Sequence, residues 1–159
     1  MKELTDYERG YLEAIIDGEG SIYISIDYRN REHRIKRGYT VTIRCIISNN
    51  DINLLNKVKN IIGSGNVVKK HGSGIYKNNI NYEVRFNHDV QRWLLPQLNL
   101  IVKKERQKLA IQLLETLKYK NQYNNSYKNE KLIHTLVCKW MDMRNKKLAK
   151  TKKPIFIYK

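Results

Sequence analysis

The sequence predicts one α+β domain in which a helix followed by two strands occurs twice. Two observations support this prediction. Apolar residues recur every three or four positions in several stretches, as on the buried face of a helix, and alternate with polar residues in the stretches between, as along a half-buried strand. The resulting order is helix, two strands, helix, two strands and helix, followed by carboxyl-terminal helices. At 159 residues the chain has the size of a single domain with a sizeable core.

The first helix begins at a capping box, because Thr5 is followed three residues later by Glu8. Its apolar face consists of Tyr11, Leu12, Ile15 and Ile16. Gly10, Ala14 and Gly18 fall at every fourth position on a different face, a spacing that lets a second helix approach closely. We therefore expect this helix to pack against two partners.

The end of the first helix carries two acids where the free main-chain carbonyl groups already make the field negative. Gly18 and Gly20 stop the helix and leave Asp17 and Glu19 at this end. The acids repel one another there, whereas a hard cation such as Mg²⁺ accepts carboxylate, carbonyl and phosphate oxygens. The pattern therefore indicates a metal site, with an ordinary acidic turn as the alternative.

The first two strands form a hairpin with one apolar face and one polar, cationic face. The apolar positions are Ile22, Ile24, Ile26 and Tyr28 in the first strand and Val41, Ile43, Cys45 and Ile47 in the second. The opposite face carries Tyr23, Ser25, Asp27, Arg29, Thr40, Thr42, Arg44 and Ser48. Such a ribbon fits the DNA major groove, although polar strand residues most often simply face water.

The remaining elements follow from the same periodicities. A second helix around residues 52–62 is capped by Asn49 or Asn50 and ends at Gly63. The other expected elements are a hairpin of Val67–Lys70 and Ile80–Phe86, a helix from Asn87 or Asp89 that Pro96 bends or ends, a helix over Ile101–Lys120, and a last helix over Glu130–Leu148. Residues 1–148 are expected to form the domain, and residues 149–159 a basic tail.

The charge of the chain favours a nucleic-acid partner. Thirty-one Lys and Arg residues against fifteen acids give a net charge of +16. No apolar run approaches the roughly 20 residues needed to span a bilayer, and the amino terminus does not have the form of a secretory signal. We expect an intracellular protein with no membrane partner, in a prokaryotic cytoplasm or in an organelle, since richness in Asn, Ile, Lys and Tyr indicates an AT-rich gene.

The stretch from Leu12 to Gly20, LEAIIDGEG, resembles the signature of the LAGLIDADG homing endonucleases. The matching positions are Leu12, Ile15, Ile16, Asp17, Gly18, Glu19 and Gly20, whereas Glu13 replaces a small residue. The resemblance implies an αββαββα core whose four strands form an antiparallel saddle-shaped sheet over DNA, plus carboxyl-terminal helices. The chain has one signature and no internal repeat, so the resemblance also implies a homodimer in which the signature helices of the two subunits pair.

The same resemblance implies a catalytic site shared by two subunits. Glu19 and the Gly18 carbonyl of each subunit would hold Mg²⁺ or Mn²⁺, with Ca²⁺ as a substitute that does not support cleavage. Asn49 would position water, and Lys104, slightly preferred over Lys103, would stabilise the charge on phosphorus. The implied pairing surface is Gly10, Ala14, Asp17 and Gly18, with Asp17 otherwise structural at the helix end. The expected DNA contacts are Tyr23, Ser25, Asp27, Arg29, Arg31, Arg34, Thr40, Thr42, Arg44 and Lys70.

The function implied is that of a sequence-specific double-strand DNA endonuclease of the intron or intein homing type. It would hydrolyse phosphodiester bonds in a long pseudo-palindromic target with the help of a divalent metal ion. The alternative is a binding protein on the same scaffold, either an RNA-splicing maturase with host intron RNA as a partner or a DNA-binding regulator. The presence of Glu19 favours cleavage, although it is compatible with an additional maturase role.

Overall fold

The computed structural model describes residues 2–27, 39–71, 80–118 and 129–145. In chain order the elements are α1 (Asp6–Gly18), β1 (Gly20–Asp27), β2 (Thr40–Asn49), α2 (Ile52–Ile62), β3 (Asn66–His71), β4 (Ile80–Arg85), α3 (His88–Leu94), a 3₁₀ turn (Leu95–Gln97), α4 (Lys104–Lys118) and α5 (Glu130–Asn145). The predicted α+β class and the predicted order of helices and strands are confirmed.

The strands form one antiparallel sheet in the order β1-β2-β4-β3. In the first hairpin Ile22 lies opposite Cys45 and Tyr23 lies opposite Arg44. Because side chains alternate along a strand, this register gathers the apolar residues on one face and the polar residues on the other. The predicted faces of the first hairpin are therefore confirmed where they are described. Tyr28, Arg29, Arg31 and Arg34 lie outside the described residues.

The helices cover the apolar face of the sheet. Helix α1 packs on β1, α2 contacts the other three strands, and α4 lies against β1, β2 and α5. The largest fully buried side chains are Leu12, Ile16, Ile22, Ile43, Ile47, Leu55, Ile62, Leu94, Leu95, Leu100, Leu113 and Leu114. None of the helices in the described ranges is long and apolar enough to cross a membrane.

Two helix starts differ from the predictions. The cap of α2 is Asp51, whose carboxylate accepts the Asn53 N–H at 2.8 Å, and neither Asn49 nor Asn50. The reason is that β2 continues through Asn49, so the helix begins later. Helix α4 begins at Lys104 and not at Ile101, because the N–H groups just before it bond to a side chain of α1. The predicted end of α5 at Leu148 and the tail of residues 149–159 lie outside the described residues.

Candidate active site

Glu19 lies at the turn between α1 and β1. Its N–H bonds to the carbonyl oxygens of Ile15 and Ile16 and so closes the helix, while its exposed carboxylate makes no hydrogen bond or ion pair within the described ranges. A methyl group at Gly20 would lie 2.6 Å from the Ile16 carbonyl oxygen, too close for any side chain. The close packing at Gly20 therefore fixes the position from which Glu19 projects.

The Asp17 carboxylate faces the amino end of α4. It accepts the N–H groups of Ile101 at 2.7 Å, Val102 at 3.1 Å and Lys103 at 3.0 Å. Burial raises the pKa of Asp17, but these three hydrogen bonds and the charge of Lys103 outweigh burial and hold the pKa below its usual value. An acid before the first turn of a helix also complements the helix dipole. Asp17 is therefore structural, as expected, and its part in a dimer interface stays a prediction.

Glu13 strengthens the same connection one turn earlier on α1. Its Oε1 atom accepts the Asn99 N–H at 2.6 Å. Glu13 and Asp17 together fasten the segment of residues 99–103 along the flank of α1. The presence of an acid at a position where the signature has a small residue is thereby explained, because the side chain bonds within its own chain.

Of the two candidate lysines, Lys103 is the one beside the end of α1. Its half-buried ammonium donates to the Asp17 carbonyl oxygen, whereas Lys104 is exposed at the start of α4. The Lys103 charge also reaches β2: burial raises the pKa of the Cys45 thiol to about 12, and Lys103 opposes that rise. The geometry therefore favours Lys103, the reverse of the preference drawn from the sequence.

Asn49 lies at the end of β2, two residues beyond Ile47, which pairs with Gly20. Its Oδ1 atom accepts the Asp51 N–H at 2.8 Å and so shapes the turn into α2. The Asn49 side chain is thus on β2, the strand that pairs with β1 just after Glu19, and its amide oxygen already accepts a hydrogen bond from Asp51. Its role in positioning water stays a prediction.

The face of α1 that carries Gly10, Ala14 and Gly18 is exposed. A methyl group added at either glycine would meet nothing within 4 Å. Three apolar side chains lie beside this face: Tyr7 is 71% exposed, Ile101 85% and Val102 78%. The small residues and these apolar side chains, here called the α1 face, form a surface that nothing in the described part of the chain covers.

The outer face of the sheet, opposite the core, gathers the described DNA-contact candidates. It carries Tyr23, Ser25, Asp27, Thr40, Thr42, Arg44 and Lys70. The register of the second hairpin adds Asn81, Glu83 and Arg85 to this face, and these three residues were not among the predicted contacts. The alternation of Tyr82, Val84 and Phe86 with these three residues is the signal that could have identified them.

A single chain offers only part of a metal site. Within the described ranges no group of three or more His, Cys, Asp or Glu residues could hold a metal ion. Since the Asp17 carboxylate is engaged by α4, Glu19 is the acid left at the end of α1, together with main-chain carbonyl groups. Oxygen donors of this kind suit a hard divalent cation, provided that a second acid comes from elsewhere.

Comparison with known proteins assigns the chain to a family. Residues 15–96, more than half of the chain, match the family described as LAGLIDADG endonuclease. The chain belongs to the LAGLIDADG endonuclease family. No curated protein matches this LAGLIDADG chain significantly.

Solved structures of homing endonucleases share the fold of this LAGLIDADG chain. One is I-CvuI in complex with DNA, with a TM-score of 0.67 and 18% identity over 94% of this chain and 87% of that one. Another is the archaeal intron-encoded I-Vdi141I complexed with DNA, with a TM-score of 0.63 and 21% identity over 97% and 90% of the two chains. A third is I-TnaI, with a TM-score of 0.62 and 21% identity over 91% and 88%. At these identities the likeness is one of fold.

Proposed function

We propose that two copies of this chain form a sequence-specific endonuclease that cleaves double-stranded DNA with a divalent metal ion. The proposal rests on the exposed Glu19 carboxylate at the end of the signature helix, where the Lys103 ammonium contacts the Asp17 carbonyl oxygen. The polar outer face of the sheet and the net charge of +16 suit DNA as the substrate. Family membership and the DNA complexes of I-CvuI and I-Vdi141I support it.

The metal site of this proposal needs both subunits. A two-fold axis along the α1 face brings a second Glu19 beside the first, so the dimer has the pair of acids that one chain lacks. A bound divalent ion would lower the pKa of a water molecule and neutralise charge on the scissile phosphate. We propose Mg²⁺ or Mn²⁺ for cleavage and Ca²⁺ for binding alone. I-CvuI has been determined on its DNA in the presence of Mg, with the DNA not cleaved, and in the presence of Ca, and both structures fit the use of a divalent metal ion.

Lys103 supplies the fixed positive charge of the site. The ammonium cannot swing freely, because it donates to the Asp17 carbonyl oxygen and its main chain is held by the Asp17 carboxylate. A cation held in place before the reaction stabilises the developing negative charge on phosphorus without having to reorganise.

Lys103→Met is expected to lower the rate of DNA cleavage by roughly 10²- to 10³-fold, since a preorganised charge is removed. Lys104→Met is the matched control, because it removes the neighbouring exposed lysine and should leave the rate within a few-fold of wild type. Single-turnover cleavage rates of the two variants give the comparison, with thermal unfolding as a check on folding. A larger loss in Lys104→Met would assign the role to Lys104.

Ala14→Leu is expected to weaken the dimer and lower cleavage, because the leucine would obstruct helix pairing at the α1 face. The cost of overpacking is about 1–3 kcal/mol, or a weakening of roughly 10- to 100-fold in dissociation constant. Analytical ultracentrifugation measures the change. Asn60→Leu is the control, because it adds the same side chain to an exposed position of α2. Wild-type chains that stay monomeric when bound to their target would contradict the dimer.

The binding-only alternative, a maturase acting on host intron RNA or a DNA-binding regulator, is not favoured. Glu19 is present and exposed, and it is the acid on which cleavage depends. Such a protein would have no need to keep an exposed carboxylate at the end of the signature helix.

Selection of cleaved sites from a randomised, near-palindromic double-stranded DNA library tests the function directly. In Mg²⁺ we expect the protein to release cut molecules whose half-sites are related by two-fold symmetry. In Ca²⁺ the same sequences should be bound and left intact. Binding without cleavage under both conditions would favour the alternative, and no enrichment of any sequence would overturn the proposal.

A further inference from the structure

The outer face of the sheet contains one acid that is almost closed off from water. The Glu83 side chain is 6% exposed and lies between two cations, Lys70 and Arg85. Its Oε2 atom accepts the Nε–H of Arg85 at 2.9 Å and forms an ion pair with the same guanidinium, 2.9 Å from Nη2. The Lys70 ammonium contacts the other oxygen, Oε1. Glu83 therefore holds the guanidinium by one of its edges.

Glu83 stays ionised in this position at neutral pH. Burial raises the pKa of Glu83, but the hydrogen bonds and charges of Lys70 and Arg85 outweigh burial and lower it. The cluster of two cations and one anion thus keeps a single net positive charge. Because the Arg85 rotamer is fixed by the fold, less conformational entropy is lost when that side chain binds a partner.

The free edge of Arg85 suits a planar acceptor pair. A guanidinium has five N–H donors in a rigid fork, and Glu83 uses the side of Nε. Within the described ranges no acceptor bonds to Nη1 or to the second hydrogen of Nη2, and the side chain is 45% exposed. Two parallel donors of this kind match O6 and N7 of guanine in the major groove. A phosphate is the other partner for such an edge, and the base selection described below distinguishes the two.

The register places Arg85 near the end of the sheet at which β1 begins, next to Glu19. It lies opposite Ile46 of β2, and Ile46 lies opposite Ser21, two residues after Glu19. Only β2 lies between β4 and β1, and two spacings of about 4.8 Å between neighbouring strands place Arg85 roughly 10 Å from β1. A base contacted by Arg85 would therefore lie towards the middle of the target and not at its ends.

We propose that Arg85 recognises one guanine in each half-site, towards the centre of the target, and that Glu83 is the positioning residue that orients its guanidinium. The proposal rests on the DNA-cleaving function above. It predicts a G·C pair at one position of each half-site, whereas the composition and charge of the chain predict no base of the target.

The test is selection of bound and cleaved DNA from a randomised double-stranded library with Arg85→Ala, Arg85→Lys and Glu83→Gln. Wild type should select guanine at one position in each half-site. Both Arg85 variants should lose that preference by about 10- to 100-fold and keep the other positions, because lysine cannot bond bidentately. Glu83→Gln should weaken the preference at the same position. Lys69→Ala, on the opposite face of the same hairpin, is the control and should change no base preference.

Results that contradict the role of Arg85 can be distinguished from results that contradict DNA cleavage itself. One such result is that Arg85→Ala weakens binding to all sequences alike and reduces the slope of log binding constant against log salt concentration by about one. In that case Arg85 contacts a phosphate and the inference is wrong. If Glu83→Gln keeps the full preference, Glu83 does not position Arg85. Selection of bound DNA in Ca²⁺ gives the same readout for a protein that cuts nothing, so loss of cleavage would not obscure the result. Should Glu83→Gln fail to fold, as judged by circular dichroism, Arg85→Lys carries the test.

Discussion

Glu19→Gln is expected to lower DNA cleavage in Mg²⁺ by roughly 10³-fold or more, while binding to the same DNA in Ca²⁺ stays within a few-fold of wild type. Glutamine has nearly the same shape as glutamate, so the turn between α1 and β1 is retained and only the charged oxygen donor is lost. In a dimer both acids of the site disappear together. Cleavage of a plasmid that carries the selected target, together with a gel-shift titration in Ca²⁺, measures the two properties separately.

Glu115→Gln is the matched control for this prediction. Glu115 is also exposed, lies on α4 and has the same charge, so its replacement changes the net charge of the chain equally. We expect no change in cleavage or binding. If Glu19→Gln cut DNA at the wild-type rate, Glu19 would not belong to the metal site and the proposed mechanism would be wrong.

Asp17→Ala is expected to destabilise the fold by about 2–4 kcal/mol, because three N–H groups at the start of α4 lose a charged acceptor. Cleavage should fall as well, since the main chain of Lys103 is no longer fixed against α1. Asp17→Asn keeps one acceptor oxygen and should lose less. Urea unfolding gives the stabilities, and Glu13→Gln, which alters a single bond one turn away, should have the smallest effect of the three.

The stability that Asp17 provides should depend on pH in one direction. The pKa of Asp17 in the folded chain lies below the unfolded value of about 3.9, so its contribution is complete above about pH 4 and is lost as the pH falls through the folded pKa. The difference in stability between wild type and Asp17→Asn should therefore be constant from pH 5 to 7 and shrink below about pH 4. A difference that stays constant down to pH 3 would show that the charge of Asp17 is not involved.

Sequence periodicity predicted most of the architecture because helices and half-buried strands are local patterns. The alternation from Ile22 onwards and the apolar spacing around Leu12 are each set by neighbouring residues, so every helix and strand described here was identified in the right order. Boundaries were less accurate where a turn decided them. Asp51 caps α2 in place of Asn49 or Asn50, because the length of β2 determines which polar residue can reach the first free N–H.

The contacts of the site were beyond sequence reasoning, because they join distant positions. Lys103 and Lys104 are equivalent as sequence, and the contact of Lys103 with Asp17 across 86 positions distinguishes them. The pairing of Glu83 with Lys70 likewise depends on the register of β3 and β4, which no local window contains.

The sequence by itself determined that a helix ends at Asp17, Gly18 and Glu19 with two acids in an unfavourable field, and that this end belongs to a LAGLIDADG signature. Only the tertiary structure decided that the two acids have different roles. The N–H groups before α4 engage Asp17 and, one turn earlier, Glu13, because a helix start provides free donors for an acid to neutralise. Glu19 is bonded by none of these donors, and its carboxylate is exposed at the end of the helix.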